Sequence, residues 1–297
     1  MSEPTLNYVS CPDAHGGHRM AYWQWGDPQA PQVVMCVHGL ARQGRDFDTL
    51  AQALCERGGE QLQVVCPDVV GRGRSDWLKD PAGYQVPAYG ADMLVLLSTL
   101  QPRTLDWVGT SMGGLIGLGL AGQPQLPFRI RRLVLNDVGP AIQRQAIQRI
   151  GEYLGRPVRF DSVEQAADAL RLISAGFGPH TREQWLALTR PMLKPAADGD
   201  AYVLHYDPAI ALPFRGITPE AAAQGEAVLW GLYDAITADT LLLRGQESDL
   251  LSRETAQAMT QRGPRARLVE FAGVGHAPML VVPDQVRVVC DFLLGSP

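Results

Sequence analysis

Long hydrophobic runs are missing from this 297-residue sequence, and none approaches the ~18 apolar residues that a membrane span needs. The first ten residues, MSEPTLNYVS, have neither a basic start nor an apolar stretch, so no secretory signal is expected. Cysteine is sparse. The five present (Cys11, Cys36, Cys55, Cys66, Cys290) are odd in number and form no C-x-x-C pair, which argues against structural disulfides and for a reducing cytoplasm. Positive charge is not in excess either: 26 Lys and Arg against 31 Asp and Glu give a formal net charge of −5. No overall field therefore recruits nucleic acid or a membrane surface. The densest basic stretch, Arg129-Ile130-Arg131-Arg132, reads as the solvated lead-in to a strand. Nor is a metal site expected. Cys11, His15 and His18 lack a fourth ligand at zinc-like spacing, and Gly16-Gly17 between the histidines reads as a polar hairpin turn.

What is present suits a folded enzyme, because 46% hydrophobic and 19% charged residues can build a sizeable core. Short apolar runs alternate with helix-length segments. Strands are predicted at Met20–Trp25, Val33–Val37, Gln63–Cys66, Thr104–Val108, Leu133–Asn136, Thr240–Arg244 and Arg267–Phe271. They are unbroken rather than alternating, as strands buried on both faces of a parallel sheet are. Helices are predicted at Phe47–Arg57, Tyr89–Leu100, Ser111–Gly122, Arg253–Gln261 and Gln285–Leu294. The rhythm implies an α/β fold with a mostly parallel central sheet flanked by helices. It breaks after Gly139-Pro140 and resumes at Thr240. Between them the text is helical, punctuated by Pro and Gly, without a convincing strand. The expected division is a core of residues 1–139 and 236–297, with residues 140–235 as a helical insertion.

The strongest chemical signal is Gly109-Thr110-Ser111-Met112-Gly113-Gly114. A G-x-S-x-G between a strand and a helix forces its serine into a tight bend, where a Cβ on either glycine clashes with neighbouring backbone. The bend lifts the hydroxyl clear of the sheet, above the positive end of a helix. Such a serine needs a base, and the base needs an orienting acid. His276, in Gly273-Val274-Gly275-His276-Ala277-Pro278, follows the strand Arg267–Phe271, so it sits on a loop at the carboxyl edge of the sheet. Asp249 follows the strand Thr240–Arg244 and is ranked first as the acid. Asp137, after an earlier strand, and Glu247, two residues from Asp249, remain open. His38-Gly39-Leu40 follows the strand Val33–Val37. Its Leu40 backbone N–H, with that of Met112, is the candidate pair of donors for a developing oxyanion.

Gly117-Leu118-Gly119-Leu120-Ala121-Gly122 fits the G-x-G-x-x-G of dinucleotide sites, but such a turn must directly follow a strand. Here Ser111 already occupies that turn, so Gly117 and Gly119 read as small faces for close helix packing, and no cofactor is expected.

Together the serine elbow, the His38-Gly39 turn, Asp249 and His276 resemble the α/β-hydrolase fold superfamily. Gly71-Arg72-Gly73-Arg74-Ser75-Asp76 is similar to a turn common in it, with a structural role there. The resemblance covers the whole chain and implies that residues 140–235 form a helical cap. A serine nucleophile sets the chain apart from the aspartate-dependent dehalogenases and epoxide hydrolases of this fold. The Ser-Met-Gly-Gly elbow resembles carboxylesterases, enol-lactonases and the carbon–carbon hydrolases of ring-fission products. Two departures from the last group favour ester or lactone cleavage: Leu40-Ala41-Arg42 where those enzymes carry Gly-Pro-Gly, and Ala277-Pro278 where they carry tryptophan. The resemblance thus implies a serine esterase acting on a small-molecule ester, with no metal or organic cofactor; a carbon–carbon hydrolase of ring-fission diketones and a binding protein or receptor on the same scaffold stay open as alternatives. Arg42, His205, Tyr206 and Trp230 are the candidate substrate contacts.

Overall fold

The computed structural model describes residues 3–214 and 218–295. Its first half lays down β1 (Thr5–Cys11), β2 (His18–Gly26), β3 (Gln32–Val37), α1 (Asp48–Gly58), β4 (Leu62–Pro67), α2 (Val86–Leu100), β5 (Thr104–Thr110), α3 (Met112–Ala121) and β6 (Ile130–Asn136). A longer crossover follows, with α4 (Arg144–Tyr153), β7 (Arg159–Phe160), α5 (Val163–Ile173), α6 (Arg182–Thr189), β8 (Leu193–Pro195), β9 (Tyr202–Leu204) and α7 (Pro219–Asp234). The chain closes with β10 (Asp239–Gly245), α8 (Arg253–Gln261), β11 (Arg267–Phe271) and α9 (Pro283–Leu294).

The main sheet runs β1-β2-β4-β3-β5-β6-β10-β11, antiparallel across β1, β2 and β4 and parallel from β4 onward. Its inner parallel strands are mostly apolar on both faces because both faces are covered. In β3, Val33, Met35 and Val37 point into one core with Leu96 of α2 and Ile116 of α3. Val34 and Cys36 point into the other, with Leu50 and Leu54 of α1 and Val289 and Leu293 of α9. This two-residue period is the pleat expressed as packing. α3, MGGLIGLGLA, carries no charge and is buried almost all round, as a helix enclosed by sheet and other helices must be. Gly117 brings it onto β5, since a Cβ there would collide with the Trp107 indole. Gly119 faces open space and has no such role.

Strand order reverses at β3, whose neighbours are β4 on one side and β5 on the other. Loops leaving the carboxyl ends of β3 and β5 therefore diverge, and the crevice between them is where ligands bind in open α/β sheets.

Three features depart from the sequence expectation. β1 was not foreseen: TLNYVSC mixes polar and apolar residues, as an edge strand paired only with β2 can. The crossover holds a small antiparallel sheet, β7-β9-β8, of strands two or three residues long, too short to leave a periodic signature. And α7, inside the expected insertion, packs on α3: Tyr233 is fully buried in the main core, and the Leu232 carbonyl lies where a Cβ on Gly122 would be.

Candidate active site

Ser111 stands between β5 and α3 with φ 51° and ψ −114°. A non-glycine residue held there costs on the order of 1–3 kcal/mol, and the surroundings enforce it. A Cβ on Gly109 would strike the Gly113 carbonyl, and one on Gly113 the Val37 carbonyl. The Ser111 N–H is tied to the Asn136 carbonyl at 3.0 Å. The hydroxyl is thereby presented at the reversal point of the sheet.

His276 meets it there. Ser111 Oγ lies 3.0 Å from His276 Nε2, and His276 Nδ1 lies 2.8 Å from Asp137 Oδ2. The loop that carries the histidine is clamped from two sides. Asn136 Nδ2 donates to the Pro278 carbonyl at 2.7 Å, and the Gly275 N–H donates to Gly176 of the crossover at 2.6 Å. A hydroxyl on an imidazole on a buried carboxylate can pass its proton to the ring and become nucleophilic.

The carboxylate on the ring is Asp137, and this corrects the first-ranked choice of Asp249. Asp137 directly follows β6, the strand between β5 and β10, and is fully buried. It also accepts from the Gly245 N–H at 2.8 Å and from Ser248 Oγ at 2.6 Å. Asp249 lies four residues past the end of β10, and its half-exposed side chain (48%) pairs instead with Arg149 of α4 at 2.7 Å. Glu247, like Asp249, lines the cavity into which Ser111 and His276 open, but the histidine's hydrogen bond goes to Asp137. The available sequence signal was distance from the strand end: Asp137 touches its strand, and Asp249 does not.

The turn after β3 lies beside the serine, the Ser111 Cβ being 3.8 Å from where a Cβ on Gly39 would be. His38 is fully buried, and burial pushes its pKa down to about 3, with Arg72 and Arg42 adding to the shift. The ring is neutral. Nε2 accepts from the Val69 N–H at 2.9 Å, so the Nδ1–H donates to the Gly39 carbonyl at 2.7 Å. That carbonyl also accepts from the Arg42 N–H at 3.1 Å. Because a trans peptide points C=O and N–H in opposite directions, fixing the Gly39 oxygen fixes the aim of the Leu40 N–H. Met112 opens α3, where an N–H has no intrahelical acceptor.

Residues 34–289 match the sequence model of the alpha/beta hydrolase family. The chain belongs to that family. It is 52% identical over 297 residues to a 3-hydroxybutyrate-oligomer hydrolase of Cupriavidus necator, covering 99% of both chains. An esterase of Mycobacterium tuberculosis is 26% identical over 92% of this chain and 84% of its own. Among solved structures, an alpha/beta hydrolase from Novosphingobium aromaticivorans superimposes with a TM-score of 0.83 at 35% identity, covering 99% of each chain.

In this hydrolase Ser111 and His276 open into a cavity of about 430 Å³, within the usual range for small-molecule sites. The crossover walls it with Leu154, Leu170, Ile173, Met192, Leu204 and Tyr206. Of the four residues singled out as substrate contacts, two line this space. Arg42 does, but its guanidinium is held by both carboxylate oxygens of Asp46, at 2.6 and 2.7 Å. Tyr206 does, its hydroxyl accepting from the Gly155 N–H at 3.2 Å. His205 is not among the lining residues; its carbonyl accepts from the Gly73 N–H, and burial, with Lys194 and Arg74 nearby, lowers its pKa to about 4. Trp230 belongs to α7, edge-on to Tyr233 and under the Arg262 guanidinium at 4.0 Å. It stabilises the core and does not face the cavity. Among the described residues, no helix is long and apolar enough to cross a membrane, and all five cysteines are free.

Proposed function

We propose that this chain is a serine esterase that cleaves short linear esters of a hydroxy acid by acyl transfer, with Ser111, His276 and Asp137 as its triad. The observation that carries the reading is the chain of two hydrogen bonds, 3.0 Å from Ser111 to His276 and 2.8 Å from His276 to Asp137. His276 takes the Ser111 proton as the oxygen attacks the ester carbonyl, and Asp137 steadies the imidazolium. The Leu40 and Met112 N–H groups hold the oxyanion, each such donor being worth roughly 3–4 kcal/mol. His276 then protonates the leaving alcohol, and a water it activates releases the acid. In this reading the elements from α4 to β9 act as a cap that encloses the substrate.

The substrate class is supported by the Cupriavidus necator relative, named for hydrolysis of 3-hydroxybutyrate oligomers, at 52% identity. The mainly apolar cavity suits a short aliphatic acyl chain. The same comparison with the relative supports cleavage of a C–O rather than a C–C bond.

The test is hydrolysis of the linear 3-hydroxybutyrate dimer and of p-nitrophenyl butyrate by wild type and Ser111→Ala. Release of 3-hydroxybutyrate and nitrophenol that the variant abolishes is expected. Wild-type turnover no faster than that of the variant on both substrates overturns the proposal.

A further inference from the structure

Arg72, in the Gly71–Asp76 turn, is fully buried, yet among the described residues no carboxylate lies within ion-pair distance of it. Its Nε donates to the Leu40 carbonyl at 2.8 Å, and one terminal nitrogen donates to the Val70 carbonyl at 2.7 Å and the Tyr89 hydroxyl at 3.0 Å. The other terminal nitrogen points at the Met112 sulfur, 3.6 Å away. Tyr89 and Tyr84 present their ring faces at 4.9 and 5.7 Å. Guanidinium does not lose its proton in proteins, so this is a permanent cation enclosed by carbonyls, a hydroxyl and aromatic rings. An unpaired buried charge costs stability, and an apolar side chain of similar size would fill the space without that cost.

We infer that Arg72 is a positioning residue for the oxyanion hole, one guanidinium touching both Leu40 and Met112, whose backbone N–H groups face the developing negative charge. This rests on the acyl-transfer reading above. His38 fixes the peptide plane that carries the Leu40 N–H, and Arg72 fixes the next plane by holding the Leu40 carbonyl. Together they leave the loop no freedom to rotate its donor away. The uncompensated charge also sets a positive field behind the site, in a medium that screens it weakly. Both effects grow with negative charge on the substrate oxygen, so they act on the transition state more than on bound ester.

The test follows the rate at which a fluorophosphonate labels Ser111, because that reaction needs no knowledge of the natural ester. Ser111 oxygen bonds to phosphorus, fluoride leaves, and the serine proton passes to His276. Arg72→Met should slow labelling and lower kcat for p-nitrophenyl butyrate by about 10- to 100-fold, with KM changed by less than about twofold. Arg72→Lys, which keeps the charge but not the fork, should recover part of the loss. Equal labelling of wild type and Arg72→Met, or a loss confined to KM, overturns the inference alone. If the methionine variant does not fold, the lysine variant decides. Slower labelling at an unchanged melting temperature supports the inference, and a wild-type rate overturns it. An unlabelled wild-type enzyme overturns the serine-hydrolase reading, and this inference with it.

Discussion

Asp137 and His276 stand 139 residues apart in sequence and 2.8 Å apart in the fold. The carboxylate that meets the imidazole comes from the end of β6, and β10 contributes only support, through Ser248 and the Gly245 N–H. The ion pair of Asp249 with Arg149 ties the loop after β10 to α4.

Asp137→Asn should therefore lower kcat for p-nitrophenyl butyrate by roughly 10³- to 10⁴-fold, the size seen when a triad acid is neutralised. Asp249→Asn should retain activity within a few-fold of wild type. Steady-state kinetics on both variants checks this, and the reverse order of severity would return Asp249 to the triad.

His276→Ala should be as inactive as Ser111→Ala, and the double variant scarcely worse than either, because members of one catalytic unit fail together. Additive losses in a double-mutant cycle would show that the two side chains act separately.

Trp230→Phe should leave KM unchanged while the melting temperature falls by about 2–4 °C, the effect of losing roughly 1 kcal/mol of contact with Arg262 and Tyr233. A raised KM at wild-type stability would put Trp230 back among the substrate contacts.

Gly117→Ala should destabilise the protein by about 1–3 kcal/mol, since its methyl group meets the Trp107 indole and one side must move. Gly119→Ala, with nothing within 4 Å of the new methyl, should gain up to roughly 1 kcal/mol in helix propensity. Urea titrations of both variants give the two signs, and equal effects would disprove the packing argument.

His18 gives a pH dependence away from the site. Burial opposes its charge, but Asp92 and Asp13, each 3.1 Å from one ring nitrogen, outweigh burial and raise its pKa above the ordinary 6.5. Cys11 of β1, the other titratable group in this cluster, stays a thiol, burial and then Asp92 pushing its pKa up to about 12. A folded state that holds its proton more tightly gains stability below the unfolded pKa and loses it as pH rises through the folded one. The wild-type melting temperature should thus decline as pH rises above about 6.5, the ordinary histidine value, and His18→Gln should flatten that decline. Identical slopes for the two proteins would rule His18 out as its source.

Sequence alone fixed whatever is written in local pattern. Seven of the eight strands of the main sheet are visible as largely apolar runs, because the inner strands are covered on both faces and the edge strand β11 keeps Leu268, Val269 and Phe271 together. Ser111 is legible because its backbone angles are sterically possible only with glycine around it, and His276 because its loop follows a strand at the active edge. The rest was decided by what lies across the sheet. Two carboxylates, Asp137 and Asp249, follow adjacent parallel strands, and which one meets the histidine depends on loop path and side-chain direction, neither of which has a periodicity. β1 escaped notice because an edge strand has one partner and tolerates polar residues, and β7, β8 and β9 because two or three residues make no pattern. Trp230 looked like a pocket residue because aromatic composition is the same in a cavity wall and in a core. The buried charge of Arg72 is invisible in a turn that sequence reads only as structural, until the fold closes Leu40, Met112 and Tyr89 around it.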